Sequence, residues 1–240
     1  MTSHLGREQQ LTSIVMPTLN EALALGKTLD VVAKLRGSFE VIVVDGDSDD
    51  ATVAIARAHG VRVLRNQRGR GIQLHAGACA ARGDVLWFLH ADTHPAVDAI
   101  DHIRETLREP AVVGGHFDVW FDGRRRAARF LTRLYPHLGR FGLCYGDSAL
   151  FVRRRDYSAI GGFRPFPLFE DLDLVRRLKE RGRFVRVPST VVASSRRFEG
   201  RSFLVTFAAW VALQLMFSVG VHPRTLGRLY GPIRGRVGPR

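Results

Sequence analysis

The chain holds 240 residues, 45% of them hydrophobic and 25% charged, enough apolar material for one sizeable globular domain and incompatible with a disordered polymer. Its two cysteines, Cys79 and Cys144, exclude a disulfide framework and have no metal-ligand spacing. The net charge of +13 is unevenly placed: residues 1–120 carry 12 Lys and Arg against 15 Asp and Glu, residues 121–240 carry 24 against 8, so an anionic partner is expected for the second half.

Met1–Gln10 is polar and lacks the apolar core of a secretory signal, so a cytoplasmic setting, extending to the inner face of the plasma membrane, is expected. Residues 1–12 read as a flexible N-terminus. Ser13–Pro17 is a short apolar strand followed by Thr18-Leu-Asn-Glu21 and an Ala/Leu-rich helix reaching about Arg36. Phe39–Val44 is a second apolar strand, opening onto Asp45–Asp50; the helix Ala51–His59 then stops at Gly60, a normal C-cap. Val61–Leu64 leads into Arg65–Gly71, and an Ala-rich helix runs on to Arg82, closed by Gly83, with Cys79 as a small buried residue. Val85–Leu89 is a continuous apolar run, the pattern of a strand buried on both faces, and it ends abruptly in His90, Ala91 and Asp92. Thr93, His94 and Pro95 read as the start of the helix that carries Ile100, Ile103 and Leu107.

The alternation of strands and helices predicts βαβ units in a parallel sheet, with every strand-to-helix loop on one edge. Pro17–Glu21, Asp45–Asp50, Arg65–Gly71 and His90–Thr93 then share a rim, where ligands bind in such sheets. Beyond residue 110 the pattern changes. Val112–Phe121 is a strand in which Gly114–Gly115 suggests a bulge; Arg124–His137 is a basic amphipathic helix; Ser148–Val152 is a short strand; Glu170 opens a helix ended by Gly182; Val185–Val192 is a last strand. No linker divides residues 13–200, which form one domain, and 201–240 hold an apolar helix and a basic tail.

Taken by themselves, the loop carboxylates keep two readings. Asp92 suits a hard divalent cation shared with phosphate oxygens, or the cap of the next helix. Asp45 suits a ribose or imide hydrogen bond, or an Asx turn. Glu170-Asp171 suits general-base work, or the first turn of a helix.

Taken in order, Pro-Thr-Leu-Asn-Glu from Pro17, Val-Val-Asp-Gly-Asp-Ser-Asp-Asp from Val43, Gly-Arg-Gly-Ile-Gln-Leu-His-Ala-Gly-Ala from Gly69, His-Ala-Asp-Thr from His90 and Phe-Glu-Asp-Leu-Asp-Leu from Phe169 resemble glycosyltransferase family 2. The resemblance runs from about Ser13 to Arg197, and the His-Ala-Asp string resembles one small bacterial subgroup. It implies an α/β GT-A fold: a Rossmann-like mixed, mainly parallel sheet flanked by helices, with an apolar C-terminal helix. It implies inverting, metal-dependent transfer from a UDP- or GDP-sugar to an acceptor hydroxyl or carboxylate on a lipid or small metabolite. Asp171 would be the base and Glu170 would position it or the acceptor. Pro17, Asn20, Glu21, Asp45, Asp47, Arg70, Gln73, His90, Ala91, Asp92, Asp147 and Arg197 would bind the nucleotide sugar, with Asp92 holding Mn²⁺ or Mg²⁺. The alternatives are a nucleotidyltransferase and a basic nucleic-acid-binding protein; no aromatic platform favours the latter.

Phe203–Val221 is uncharged over 19 residues. Three readings stand: a helix packed on the domain or in a homodimer, an interfacial membrane helix, and a bilayer span.

Overall fold

Alternate residues of the first strand enter different cores, and the layering of the molecule follows from that. In β1 (Thr12–Thr18), Ile14 and Met16 join one apolar cluster while Val15 joins another across the sheet. The division continues in β2 (Phe39–Asp45) and β4 (Val85–Phe88): Val43, Val85 and Trp87 face one side, Ile42, Val44, Leu86 and Phe88 the other. The computed structural model describes residues 10–123, 129–130, 132–133, 146–194 and 203–234. On the first face lie α1 (Ala22–Val32), α2 (Thr52–Ala58) and α4 (Ala99–Thr106), which bury Leu25, Leu29, Ala56, Ile100 and Ile103. On the second lie α3 (Arg70–Ala80), α5 (Arg154–Ala159) and α6 (Glu170–Lys179), which bury Leu74, Tyr157, Leu174 and Leu178. Each such Leu or Ile stabilises the fold by about 1.5–3 kcal/mol relative to exposure.

The eight described strands form one sheet in the order β3-β2-β1-β4-β7-β6-β8-β5, with β3 at Arg62–Arg65, β5 at Thr93–Pro95, β6 at Val112–Phe121, β7 at Phe151–Arg153 and β8 at Arg183–Ala193. Strands β3, β2, β1 and β4 are parallel, β7 runs antiparallel to β4 and β6, β6 and β8 are parallel, and β5 is antiparallel to β8. This is the mixed, helix-flanked α/β sheet expected from the sequence. The four parallel strands bring their C-terminal loops to one edge, and the Gly114 irregularity appears as a register shift against β8.

Several sequence expectations are corrected. Thr93–Pro95 does not start a helix: its backbone pairs with Val191–Ala193 of β8, and α4 begins only at Ala99. Pro95 is tolerated because β5 is an edge strand. Helix α3 ends at Ala80, with Ala81 extended, and Cys79 is exposed because the buried face of that helix is Gly71, Gln73, Leu74, Gly77 and Ala78. Ser148–Val152 starts in a 3-10 turn, Gly146–Ser148, before the strand begins at Phe151. Thr12 is fully buried in β1. Most of the expected helix Arg124–His137 lies outside the described residues.

The apolar C-terminal stretch forms α7 (Phe203–Ser218), followed after Gly220 (φ 92°) by α8 (Pro223–Arg234). No helix among the described residues is long and apolar enough to cross a membrane, which corrects the spanning reading. One side of the helix pair packs on the domain, burying Leu213 and Leu226 with Phe169 and Leu172; Val205, Leu215 and Val219 are exposed.

Candidate active site

The loops after β1 and β2 are stitched into one unit. Asn20, at φ 54°, donates its backbone N–H to Ser48 Oγ (2.9 Å), and its side-chain Oδ1 accepts from the Asp49 N–H (2.8 Å). Asp50 accepts from the N–H groups of Thr52 (2.9 Å) and Ala22 (3.0 Å), so a single carboxylate serves the starts of α1 and α2. Burial opposes ionisation of Asp50, but these bonds and the Thr52 hydroxyl hold its carboxyl below the ordinary value. The Glu21 backbone N–H donates to Thr52 Oγ1 (2.8 Å). Pro17 lies in register with Val44 at the strand ends.

Asp45 takes the Asx-turn arrangement. Its carboxylate accepts from the N–H groups of Asp47 (3.1 Å) and Ser48 (3.0 Å) and from Ser48 Oγ (2.5 Å), and the residue is 1% exposed. Asp47, at φ 69°, is exposed, and its carbonyl accepts from Arg68 (3.1 Å). Gln73 is buried, and its amide N–H₂ donates to the carbonyls of Thr18 and Val44, each at 2.8 Å. It thereby pins the ends of β1 and β2 together, a structural part for a residue expected at the nucleotide.

The second half of the rim gathers the acids. Glu170 and Asp171, 1% and 4% exposed, open α6, and Arg70 at the start of α3 reaches both. Arg70 Nε donates to Glu170 Oε1, and Nη2 lies 3.8 Å from Asp171 Oδ2. Although burial works against its charge, the two carboxylates hold the guanidinium above its ordinary range. About a third of the Arg70 side chain remains exposed, so the fork also faces the rim. Asp171 accepts from the backbone N–H groups of Gly146 (2.6 Å) and Leu172 (2.7 Å). Burial pushes its carboxyl up to about 6, and the neighbouring Glu170 charge adds to this against the pull of Arg70 and the two amides.

His90, at the end of β4, joins this cluster. Its Nδ1 lies 3.1 Å from Asp147 Oδ1, in the Gly146–Ser148 turn. A Cβ built on Gly146 would meet His90 Nε2 at 3.1 Å and Asp171 Oδ2 at 3.4 Å, so the imidazole and the candidate base border the same point. His90 and Asp171, 81 positions apart in the chain, thus both border Gly146. Ala91 is buried and Asp92 half-buried, in a turn closed by the Thr93 N–H on the His90 carbonyl (3.2 Å) and tied to α1 through Thr28 Oγ1 on the Ala91 carbonyl (2.7 Å). Arg197 lies outside the described residues.

The sequence reading missed the parts played by Asp50 and Thr28 and the backbone turn at Phe169. Asp50-Ala-Thr52 carries an Asx-cap signal, whereas nothing marks Phe169, whose φ of 60° is left-handed for a buried aromatic residue. Some of the second half's arginines brace the fold. Arg177 donates to Asp173 and to the carbonyls of Ile160 and Gly162 (2.8 Å each), and Arg186 pairs with Asp118 (3.3 Å).

Among the described residues no three His, Cys, Asp or Glu side chains are grouped to hold a metal ion. Asp92 is one carboxylate and His90 is turned to Asp147, so the set does not make a protein cage. It fits a hard divalent cation that draws its remaining ligands from a diphosphate and water, as Mg²⁺-type sites do.

Residues 13–159 match the profile of glycosyl transferase family 2. A PGL/p-HBAD biosynthesis glycosyltransferase, found in Mycobacterium bovis and Mycobacterium tuberculosis, is 30% identical over 210 residues, covering 79% of this chain and 78% of that protein. Among solved structures, the mannosyltransferase PcManGT from Pyrobaculum calidifontis in complex with GDP-Man and Mn²⁺ superposes with a TM-score of 0.65 at 19% identity, over 94% of this chain and 68% of the other. Glucosyl-3-phosphoglycerate synthase from Mycobacterium tuberculosis, in complex with Mn²⁺, uridine diphosphate and glucosyl-3-phosphoglycerate, gives 0.61 at 21% identity, over 89% and 81%. At such identities the two structures speak to the fold.

Proposed function

Because the chain belongs to glycosyl transferase family 2 and is a glycosyltransferase, we propose that it moves a sugar from a UDP- or GDP-linked donor to an acceptor hydroxyl or carboxylate with inversion at the anomeric carbon. The observation that carries the proposal is Asp171: a buried carboxylate, raised to about 6, beside His90 and Gly146 at the end of the parallel strands and linked to Arg70 at a helix start. At pH 7.5 such a group is ionised yet more basic than an ordinary aspartate, which suits a general base. An acceptor hydroxyl donates its proton to Asp171 as its oxygen attacks the anomeric carbon, and the bond from that carbon to the nucleoside diphosphate breaks. Glu170 and Arg70 fix the direction of Asp171, and the exposed edge of Arg70 meets the diphosphate.

Asp92 would hold Mn²⁺ or Mg²⁺, which supplies Lewis-acid neutralisation of the departing diphosphate. The Mn²⁺ in the two structural neighbours supports this assignment. The nucleoside lies over the loops after β1 and β2, against Pro17, Asn20, Glu21 and the 45–50 turn. Residues 13–200 are the transferase unit and the His-Ala-Asp string marks its subgroup.

Thermal unfolding with UDP and GDP, with and without Mn²⁺, tests the reading. A nucleotide at about 100 times its Kd adds about 2.7 kcal/mol, a rise of roughly 5–10 °C for a chain of this size. Asp92→Ala should lose only the Mn²⁺-dependent part of that rise. No shift with either nucleotide in wild type refutes the donor assignment.

A further inference from the structure

The C-terminal helices reach the catalytic segment directly. Leu213 of α7 and Leu226 of α8 are buried with Phe169 and Leu172, and Trp210, Met216, Phe217 and Val221 pack around them. The Phe166 ring meets His222 edge-on at 5.4 Å, and the Phe169 ring lies 5.0 Å from Phe217 at an interplanar angle of 34°. A Cβ on Gly227 would approach Pro167 to 2.6 Å, so α8 crosses the segment too closely for any side chain there. The helix pair is therefore a brace over residues 166–172.

What the brace holds is an unfavourable backbone turn. Phe169 sits at φ 60° and ψ 24°, a left-handed conformation that an aromatic side chain adopts only when its surroundings impose it. It is the N-cap of α6, and no side-chain hydrogen bond caps that helix. The next two residues are Glu170 and Asp171. One backbone turn thus sets where Asp171 Oδ2 lands, 2.6 Å from the Gly146 nitrogen.

We infer that Phe217 is a positioning residue for the transfer reaction: by packing its tilted ring against Phe169 it holds the left-handed turn that aims Asp171 at the acceptor. This rests on the reading of Asp171 as the base. Phe217 packs in the cluster around Phe169, apart from the loops after β1 and β2 proposed to hold the nucleoside, so its loss should appear in turnover and not in nucleotide affinity. The Phe217 ring, rather than bulk alone, is what meets the Phe169 ring, so Tyr should replace it and Ala should not.

The test uses the full chain and follows nucleoside diphosphate release from UDP-glucose and GDP-mannose, alongside calorimetric binding of UDP and GDP. Phe217→Ala should lower kcat by about tenfold or more, the scale of a small misplacement of a reacting group, while nucleotide Kd stays within about twofold. Phe217→Tyr should recover most of the rate. Phe169→Asn in the Phe217→Ala background should recover part of it, since Asn tolerates the left-handed region. If Phe217→Ala does not fold, Phe217→Leu carries the same comparison with an intermediate loss. A wild-type kcat in folded Phe217→Ala or Phe217→Leu, with Asp171→Asn inactive, overturns the inference alone. Equal losses in kcat and nucleotide affinity also overturn it, since they mark general destabilisation. Full turnover in Asp171→Asn removes the base assignment instead, and the inference with it.

Discussion

Replacing Asp171 with Asn separates the energetic burden of a buried carboxylate from its chemistry. The folded value, about 6, lies above the ordinary aspartate value of 3.8, so the folded chain holds this proton more tightly than the unfolded chain does. The sign follows: the penalty is absent below about pH 3.8, grows between there and 6, and is complete above, where it amounts to about 3 kcal/mol. Asn has no proton to lose, and it keeps one carbonyl oxygen for two backbone donors, the N–H groups of Gly146 and Leu172. The donor left without an acceptor costs roughly 1–3 kcal/mol at every pH. Asp171→Asn should therefore be the less stable protein at pH 4 and equal to or more stable than wild type at pH 8. Urea denaturation followed by circular dichroism from pH 4 to 8 reads this, because contributions from distant carboxylates cancel in the difference and what remains belongs to Asp171 together with its neighbour Glu170. The stability difference should move by about 3 kcal/mol in favour of the variant as pH rises. A difference that stays flat with pH would mean that Asp171 titrates like an exposed aspartate, and the poised-base argument would fail with it.

Two further perturbations probe the surroundings of that carboxylate. Arg70→Met leaves the buried Glu170–Asp171 pair without its cation, so stability at pH 8 should fall by about 3 kcal/mol and recover toward pH 5 as the pair takes up a proton, measured by thermal unfolding at both pH values. The same variant should bind UDP and GDP roughly tenfold more weakly by calorimetry, if the fork also serves the diphosphate. Gly146→Ala introduces a methyl 3.1 Å from His90 Nε2 and 3.4 Å from Asp171 Oδ2; turnover should fall about tenfold with a stability change near 1 kcal/mol, which separates congestion at the acid cluster from misfolding.

The first four strands were legible because their side chains leave little choice. Val41 to Val44 and Val85 to Leu89 are apolar at every position, as strands buried on both faces require, and Gly60 stops a helix by accepting a left-handed φ of 69°. Parallel pairing then fixes which ends form the rim. The second half was harder to read because its pairings are made with strands distant in sequence. Thr93–Pro95 has the composition of a helix start, and only β8, almost a hundred residues away, makes it a strand. Nothing in the sequence marks the left-handed turn at Phe169, whose ring packs against Phe217, 48 residues further along the chain.

Residue type at a strand end announces a site, but the direction of a carboxylate is decided by the hydrogen-bond donors around it. Asp45 and Asp171 both end up buried beside parallel strands, yet the oxygens of Asp45 are taken by the turn that follows it, in bonds of 2.5 to 3.1 Å. The turn that Asp45 builds sets Asp47 at a φ of 69° and leaves it exposed. Within this loop Asp47 is an exposed carboxylate, and Asp45 is the residue that fixes the turn. Asp171 differs because it is buried with a second acid alongside: burial first, and then the Glu170 charge, raise it into the range of a base against the pull of Arg70 at 3.8 Å and of its two backbone donors, a balance invisible in a linear string.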